Sequence, residues 1–397
     1  MTAAEQGAPA IMPPRPPPWR NPAVRGVIYQ IVFVLAVLAV VAFFVNNTLV
    51  NLNRRNIATG FGFLSREAGF DIGEKLIPYT PADTYARAFL VGLTNTLHVA
   101  ILGIVFATVL GTLMGLARLS SNWLVRKLAQ VYVETFRNIP LLLQLFFWWG
   151  LLNKMAPRPR QAWQILPGVF VSNRGVAYPV PVGSPAYKWV VLAFVAGIAL
   201  TVVARRWGIR RQAATGQPFR AEWVGLGLIV GLPVIAFFLA GAPLALDVPA
   251  LQGFNFSGGS TMSPEFAALL IGLVVYTGTF IAEIVRAGIL AVSWGQSEAA
   301  MALGLRLGQR MRLVVLPQAL RVIIPPMTSQ YLNLTKNSSL AVAIGFPDLV
   351  SVANTTLNQT GQALEGIAMI MAVYLFISLS IALAMNLYNR AVALVER

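Results

Sequence analysis

Cysteine is absent from this chain of 397 residues, and histidine occurs once. Disulfides and Cys-based metal or redox centres are therefore excluded. No group of His and carboxylates has metal-ligand spacing, so no metal is implied. Charge is scarce as well: 11% of residues are Asp, Glu, Lys or Arg, where a soluble domain carries roughly 25%. No glycine is followed directly by lysine, so the phosphate-cradling G-x-x-x-x-G-K-[ST] loop is missing. No nucleophile–base constellation can be assembled either. The chain reads as a non-enzyme that needs no cofactor and does not hydrolyse ATP itself.

What fills the chain is apolar: 57% of residues are hydrophobic and the mean hydropathy is +0.68. Several runs reach the ~20 residues that cross a bilayer. The fold class expected is an all-α polytopic membrane protein with about eight spans. These are Val27–Val50, Phe89–Ala117, Leu128–Leu152, Trp189–Ala204, Val224–Leu244, Phe266–Val292, Ile323–Phe346 and Ile367–Leu387. Residues 1–22 form a Pro-rich tail expected to be disordered. Residues 23–87 hold the first span and an outer loop. Residues 153–262 carry two spans and a proline-marked, irregular connection (Pro157, Pro159, Pro167, Pro179, Pro181, Pro185).

The net charge of +16 does not call for nucleic acid, because loops on the cytoplasmic side of a bilayer are enriched in Lys and Arg. With the N-terminus inside, 17 basic residues fall in inner segments, 10 in outer segments, and Arg137, Arg286 and Lys336 within spans. Both termini are therefore expected in the cytoplasm. Charged groups near the centre of a span cost roughly 2.5–3.5 kcal/mol each, so those present need a reason. Glu134 and Arg137 are three apart, as are Glu283 and Arg286; this spacing puts each couple on one helix face and predicts two intramembrane ion pairs. Lys336 lies among Asn333, Asn337 and Ser338, and this group is the candidate for lining a translocation path. The lone His98 is expected to be a packing group.

One loop between spans is built to fold. From Ser297 to Leu303 the residues are strong helix formers. Ser293 and Gln296 predict a capping box at its start. Gly304 interrupts, Leu305–Leu316 resumes as an amphipathic segment, and Pro317 is expected to end it. Glu298-Ala299-Ala300, three residues, Gly304, nine residues, Val314, one residue and Leu316-Pro317 resemble the EAA loop of ABC importer permeases. That consensus reads E-A-A-x3-G-x9-I-x-L-P, and only Val314 in place of Ile departs from it.

Further stretches resemble the polar amino acid branch of that family. They are Gly92–Leu97, Tyr132–Gln144, Phe280–Ile289, Leu316–Arg321, Lys336–Leu340 and Asp348-Leu349. The enlarged layout, including Asn56–Gly73, resembles a permease subunit of general L-amino acid importers. The resemblance implies a type I importer core in two parts, 88–152 and 263–397, with the coupling loop at 293–317 and the 153–262 region inserted between the parts. It implies two ABC ATPase subunits, a second permease, a periplasmic amino-acid-binding protein and a bacterial inner-membrane location. Glu298, Ala299, Ala300, Gly304, Leu316 and Pro317 would then form the ATPase-coupling loop. The alternative is an ion-coupled secondary transporter of small polar solutes, a class that often shows inverted repeats.

Overall fold

A computed structural model of the chain describes residues 22–54, 59–217, 219–241 and 244–392. The Pro-rich tail lies outside the described residues, apart from Pro22, as does part of the Asn56–Gly73 segment. Among the described residues twelve α-helices carry the fold: α1 (Pro22–Arg54), α2 (Tyr85–Ala117), α3 (Trp123–Asn138), α4 (Leu141–Gly150), α5 (Ala186–Thr215), α6 (Ala221–Leu239), α7 (Pro264–Leu290), α8 (Trp294–Ala302), α9 (Leu307–Arg310), α10 (Leu316–Asn337), α11 (Leu349–Thr360) and α12 (Ala363–Val392). Five of the described helices are individually long and apolar enough to cross a membrane, and α10 with α11 makes a sixth span if the 51° bend between them is bridged. Every expected span has a helical counterpart, as the hydropathy dictates, but two are broken.

The expected third span, Leu128–Leu152, is not one helix. Pro140 has no N–H to donate, and a residue before proline is pushed into extended backbone; Ile139 adopts φ −95°, ψ 126°. The break frees carbonyls, which Gln144 recovers by donating its Nε2 to Phe136 O (2.8 Å) and Ile139 O (3.0 Å). In the seventh, α10 runs unbroken through Pro325 and Pro326 into a 3-10 turn at Ser338–Ile344. Gly345 then bends the chain at φ +81°. The polar helix α11 follows, an element the hydropathy pattern gave no reason to expect.

The connection expected to be irregular is partly a sheet. Strands β1 (Trp163–Leu166), β2 (Val169–Ser172) and β3 (Gly175–Tyr178) form an antiparallel meander, and β8 (Ser260–Met262) joins β3 at its free edge. Two smaller ribbons pair β4 (Val180–Pro181) with β5 (Leu246–Asp247) and β6 (Ala250–Gln252) with β7 (Asn255–Ser257). The prolines punctuate strands rather than abolish them. Because β8 leads into Pro264, the sheet holds the start of α7.

Helix α7 is the centre of the bundle, packed by α2, α3, α4 and α10. Its contact with α2 is the most extensive. Gly111 and Gly115 lie four apart on α2 and face Gly278, Ile281, Ala282 and Val285 of α7. A Cβ at Gly111 would stand 2.6 Å from Ile281 Cβ, and one at Gly115 2.7 Å from Ala282 O. Small residues at this spacing let two backbones approach where no water drives association. A second cluster seats the 61–84 segment over α2 and α11 through Phe63, Ile72, Tyr79, Phe89 and Val352.

Gly111→Ala should therefore lower stability by about 1–3 kcal/mol, the usual cost of overpacking. Gly227→Ala, whose Cβ would meet nothing within 4 Å, should not. Thermal unfolding of the two purified variants checks the difference, and equal melting temperatures would contradict the close-approach reading.

Candidate functional site

The stretch singled out by its spacing folds into the short helix α8 and a turn. Gly304 stands at φ +74°, and its N–H bonds to Met301 O (2.9 Å) while that of Leu305 bonds to Ala300 O (3.1 Å). This pair of bonds is a Schellman motif, which places the residue after the C-cap in left-handed backbone that glycine adopts without penalty. The expected capping box is not made: Ser293 stands at the N-cap with no side-chain bond to the helix. Gln296 instead accepts from Gln318 Nε2 (3.4 Å), linking α8 to α10. Pro317 does not end the amphipathic segment. It sits in the first turn of α10, where a missing N–H costs least, and a π-turn at Met311–Val315 carries the chain into it.

Helix α8 is seated by Ser297 and Ala300, which are buried, while Glu298 and Ala299 are exposed. Leu303 and Leu307 project beside the turn at 81% and 66% exposure. The result is a carboxylate, small alanines and two protruding leucines on one rigid turn. Leu316 is also exposed.

The bundle carries one charged brace among the described residues. Glu283 on α7 accepts from Arg118 Nη1, at the end of α2, through Oε2, and from Arg286 Nη2 (2.7 Å) through Oε1. One carboxylate thus ties the end of α2 to α7. The expected Glu134–Arg137 pair does not form. Glu134 accepts from Gln130 Nε2 (2.7 Å), and the Arg137 guanidinium lies over the Phe280 ring, 5.2 Å from its centroid. The i,i+3 spacing allowed the pair, but the Phe280 face and Gln130 take the two groups. Both still border a cavity of about 420 Å³ shared with Arg118 and Glu283.

The Lys336 group is split. Asn333 and Lys336 are exposed on the last turn of α10, and Asn337 is half-buried. Ser338 is buried and donates to Thr335 O (2.7 Å), so it turns into the bundle rather than towards Lys336. The His98 ring stacks on Phe266, 4.9 Å between centroids.

At the opposite end of the bundle three side chains join distant segments in a way spacing alone did not reveal. Asn95 Nδ2 donates to Glu74 O (2.8 Å) and Pro347 O (2.9 Å). Thr96 Oγ1 accepts from Leu349 N (3.0 Å), and Asp348 caps α11 by accepting from Ser351 N (2.8 Å). The signal was present: buried polar groups in an apolar helix need partners. A cavity of about 600 Å³ opens above this junction, bordered by Asp71, Glu74, Glu265 and Arg174. Burial pushes the Glu74 carboxyl up, against the hydrogen bond from Ser263 that draws it down.

Glu283→Gln should cost about 1.5–3 kcal/mol, since it weakens charge-assisted bonds to two arginines. Glu134→Gln should cost much less. Melting temperatures of the two variants measure this, and an equal loss would deny Glu283 its bracing role.

Comparison with known proteins identifies this arrangement. Residues 107–394 match the family described as "Binding-protein-dependent transport system inner membrane component". The chain is 55% identical over 95% of its length to the putative amino-acid ABC transporter permease protein YhdX of Escherichia coli (strain K12), covering 96% of that protein. It is 52% identical to the general L-amino acid transport system permease protein AapQ of Rhizobium johnstonii, over 95% of this chain and 94% of the relative. It is 45% identical to the glutamate/glutamine/aspartate/asparagine transport system permease protein BztB of Rhodobacter capsulatus, over 94% of this chain and 95% of the relative. The chain belongs to the family of binding-protein-dependent transport system inner membrane components, as a multi-pass membrane protein.

Proposed function

We propose that this chain is a permease subunit of an ABC importer that moves L-amino acids across the bacterial inner membrane. Two ATPase subunits energise it, a second permease completes the path and a periplasmic binding protein feeds it. The observation that carries the coupling role is the folded turn around Gly304, which presents Glu298 and Ala299 with Leu303 and Leu307 beside them. The names of the relatives favour an ABC permease over an ion-coupled secondary transporter, and those of AapQ and BztB supply the substrate class.

The mechanism follows from what is joined to what. An ATPase groove receives α8, and its closure displaces the Gly304 turn. Ala300 and Ser297 pass that displacement to the bundle, and Gln318 passes it to α10. The Glu283 brace makes α2 move with α7. At the far end, Asn95 and Thr96 hold the 345–349 bend against α2, so a tilt of α2 reaches the mouth of the path. Asn333, Lys336 and Asn337, on the exposed face of α10, line the path against the second permease, with Ser338 supporting them from behind.

The excess of Lys and Arg in the segments shared with α8 supports placing that end, and both termini, in the cytoplasm. The 153–262 region then lies with its sheet outside.

Two measurements test this reading. Purification from native membranes in mild detergent should bring down an ABC ATPase and a second permease, and Glu298→Arg should lose the ATPase while keeping the permease. Purification of this chain alone would refute it. Gly304→Pro should insert normally yet lose about tenfold or more of uptake, because proline fixes φ near −65° where +74° is required and removes the N–H bonded to Met301. Normal uptake by that variant would remove the coupling assignment.

A further inference from the structure

The inserted sheet carries a feature that transport coupling does not use. A cavity of about 790 Å³ lies between the turn after α4 and the β2–β3 hairpin, and Lys154, Arg158, Arg160 and Arg174 all line it. No carboxylate is among its lining residues. The ion pairs among the described residues lie elsewhere, at Asp71 and Glu283. Four like charges sharing one concavity repel one another and raise the local concentration of anions.

Two details show a shaped site rather than a loose patch. Arg160 is held in place: its guanidinium lies over Phe254, 4.3 Å from the ring centroid, and its Nε donates to Gly253 O (3.2 Å). That leaves its Nη groups as a fixed fork of the kind that matches phosphate geometry. Asn173 anchors the floor by donating its N–H to Pro157 O (2.8 Å), and its buried Oδ1 has no partner. A buried acceptor of that kind calls for a donor, and a headgroup hydroxyl supplies one.

The surroundings select the anion's source. Lys154 follows the end of α4 by four residues, so the cavity begins where a span leaves the bilayer. Beside it Met155, Trp163, Ile165 and Leu166 are 70%, 55%, 65% and 61% exposed. Among the described residues strand β1 is an edge strand, with no neighbour on its outer side. In water an apolar open edge is an aggregation hazard, whereas tryptophan and apolar groups beside cations suit the headgroup level of a membrane. A free anionic solute accounts for the cations but leaves the apolar edge without a role.

We propose that this cavity binds the headgroup phosphate of an anionic phospholipid, with β1 lying against the acyl boundary. The inference requires only that α4 and α5 flank a bilayer, so it stands or falls apart from the importer reading.

The test uses the full chain with its co-purifying partners in nanodiscs of phosphatidylcholine, with and without phosphatidylglycerol. Bound lipid is read by native mass spectrometry and protein stability by thermal unfolding. Phosphatidylglycerol should be retained and should raise the melting temperature. Replacing Lys154, Arg158 and Arg160 together by Gln should weaken retention by about tenfold to a hundredfold, the loss expected for charge-assisted contacts. The melting temperature in pure phosphatidylcholine should change only by what the Arg160 contacts with Phe254 and Gly253 supply. If that variant does not fold, Arg174→Gln alone should weaken retention, and Arg158→Lys should largely preserve it. Equal retention by wild type and the charge-neutral variants would overturn the proposal. So would full protection by inorganic phosphate in discs lacking phosphatidylglycerol, which would assign the cavity to a free anion.

Discussion

Everything else in the bundle depends on how closely α2 approaches α7. Gly111 and Gly115 let the α2 backbone come against Gly278 and Ala282, with room for no added methyl group at either glycine. Inside a bilayer helices gain nothing by hiding apolar surface from water, so close packing and interhelical polar contacts must supply the association. The same approach brings Arg118 to Glu283. A brace of this kind would cost more than it returned if the helices stood apart, because an unpaired charge in this setting is expensive. The two contacts depend on each other: the glycines set the spacing, and the carboxylate fixes the register.

From that seam the polar groups distribute by distance from the membrane centre. At one end Glu283 joins Arg118 and Arg286, and Gln318 ties α8 to α10. At the other, Asn95 and Thr96 join the bend before α11 and the 61–84 segment to α2. Apart from Arg286, which bonds Glu283 on its own helix, these side chains connect segments 21 to 253 residues apart in sequence. Such links make the bundle move in rigid pieces, with the bend at Gly345 and the turn at Gly304 as the places where glycine permits backbone that other residues resist.

Much of the fold was legible in the sequence because the bilayer constrains it so heavily. A run of apolar residues long enough to cross has little choice but to be a helix, and all eight expected spans correspond to helices. Breaks were less legible. Leu128–Leu152 is apolar enough on average to conceal Pro140, and only the bonds from Gln144 show how the interruption is satisfied. The strands of 163–181 were hidden by their prolines, and α11 by its polar composition. The spacing around Glu298 and Gly304 marked a loop that folds into a helix and turn, and the Schellman motif explains its glycine. Spacing failed for Glu134 and Arg137 because it states which groups can meet, not which competitor is nearer. Ser338 follows buried Leu334 by four residues and buried Thr335 by three, which puts it on the face of α10 away from exposed Asn333 and Lys336.

Uptake in proteoliposomes tests the central claim most directly. The purified assembly would be reconstituted with ATP inside or outside and supplied with a radiolabelled L-amino acid and its binding protein. An ABC permease predicts uptake only when ATP is present on the ATPase side, persisting after ionophores collapse all ion gradients. Uptake by this chain alone, driven by an ion gradient and indifferent to ATP, would contradict it.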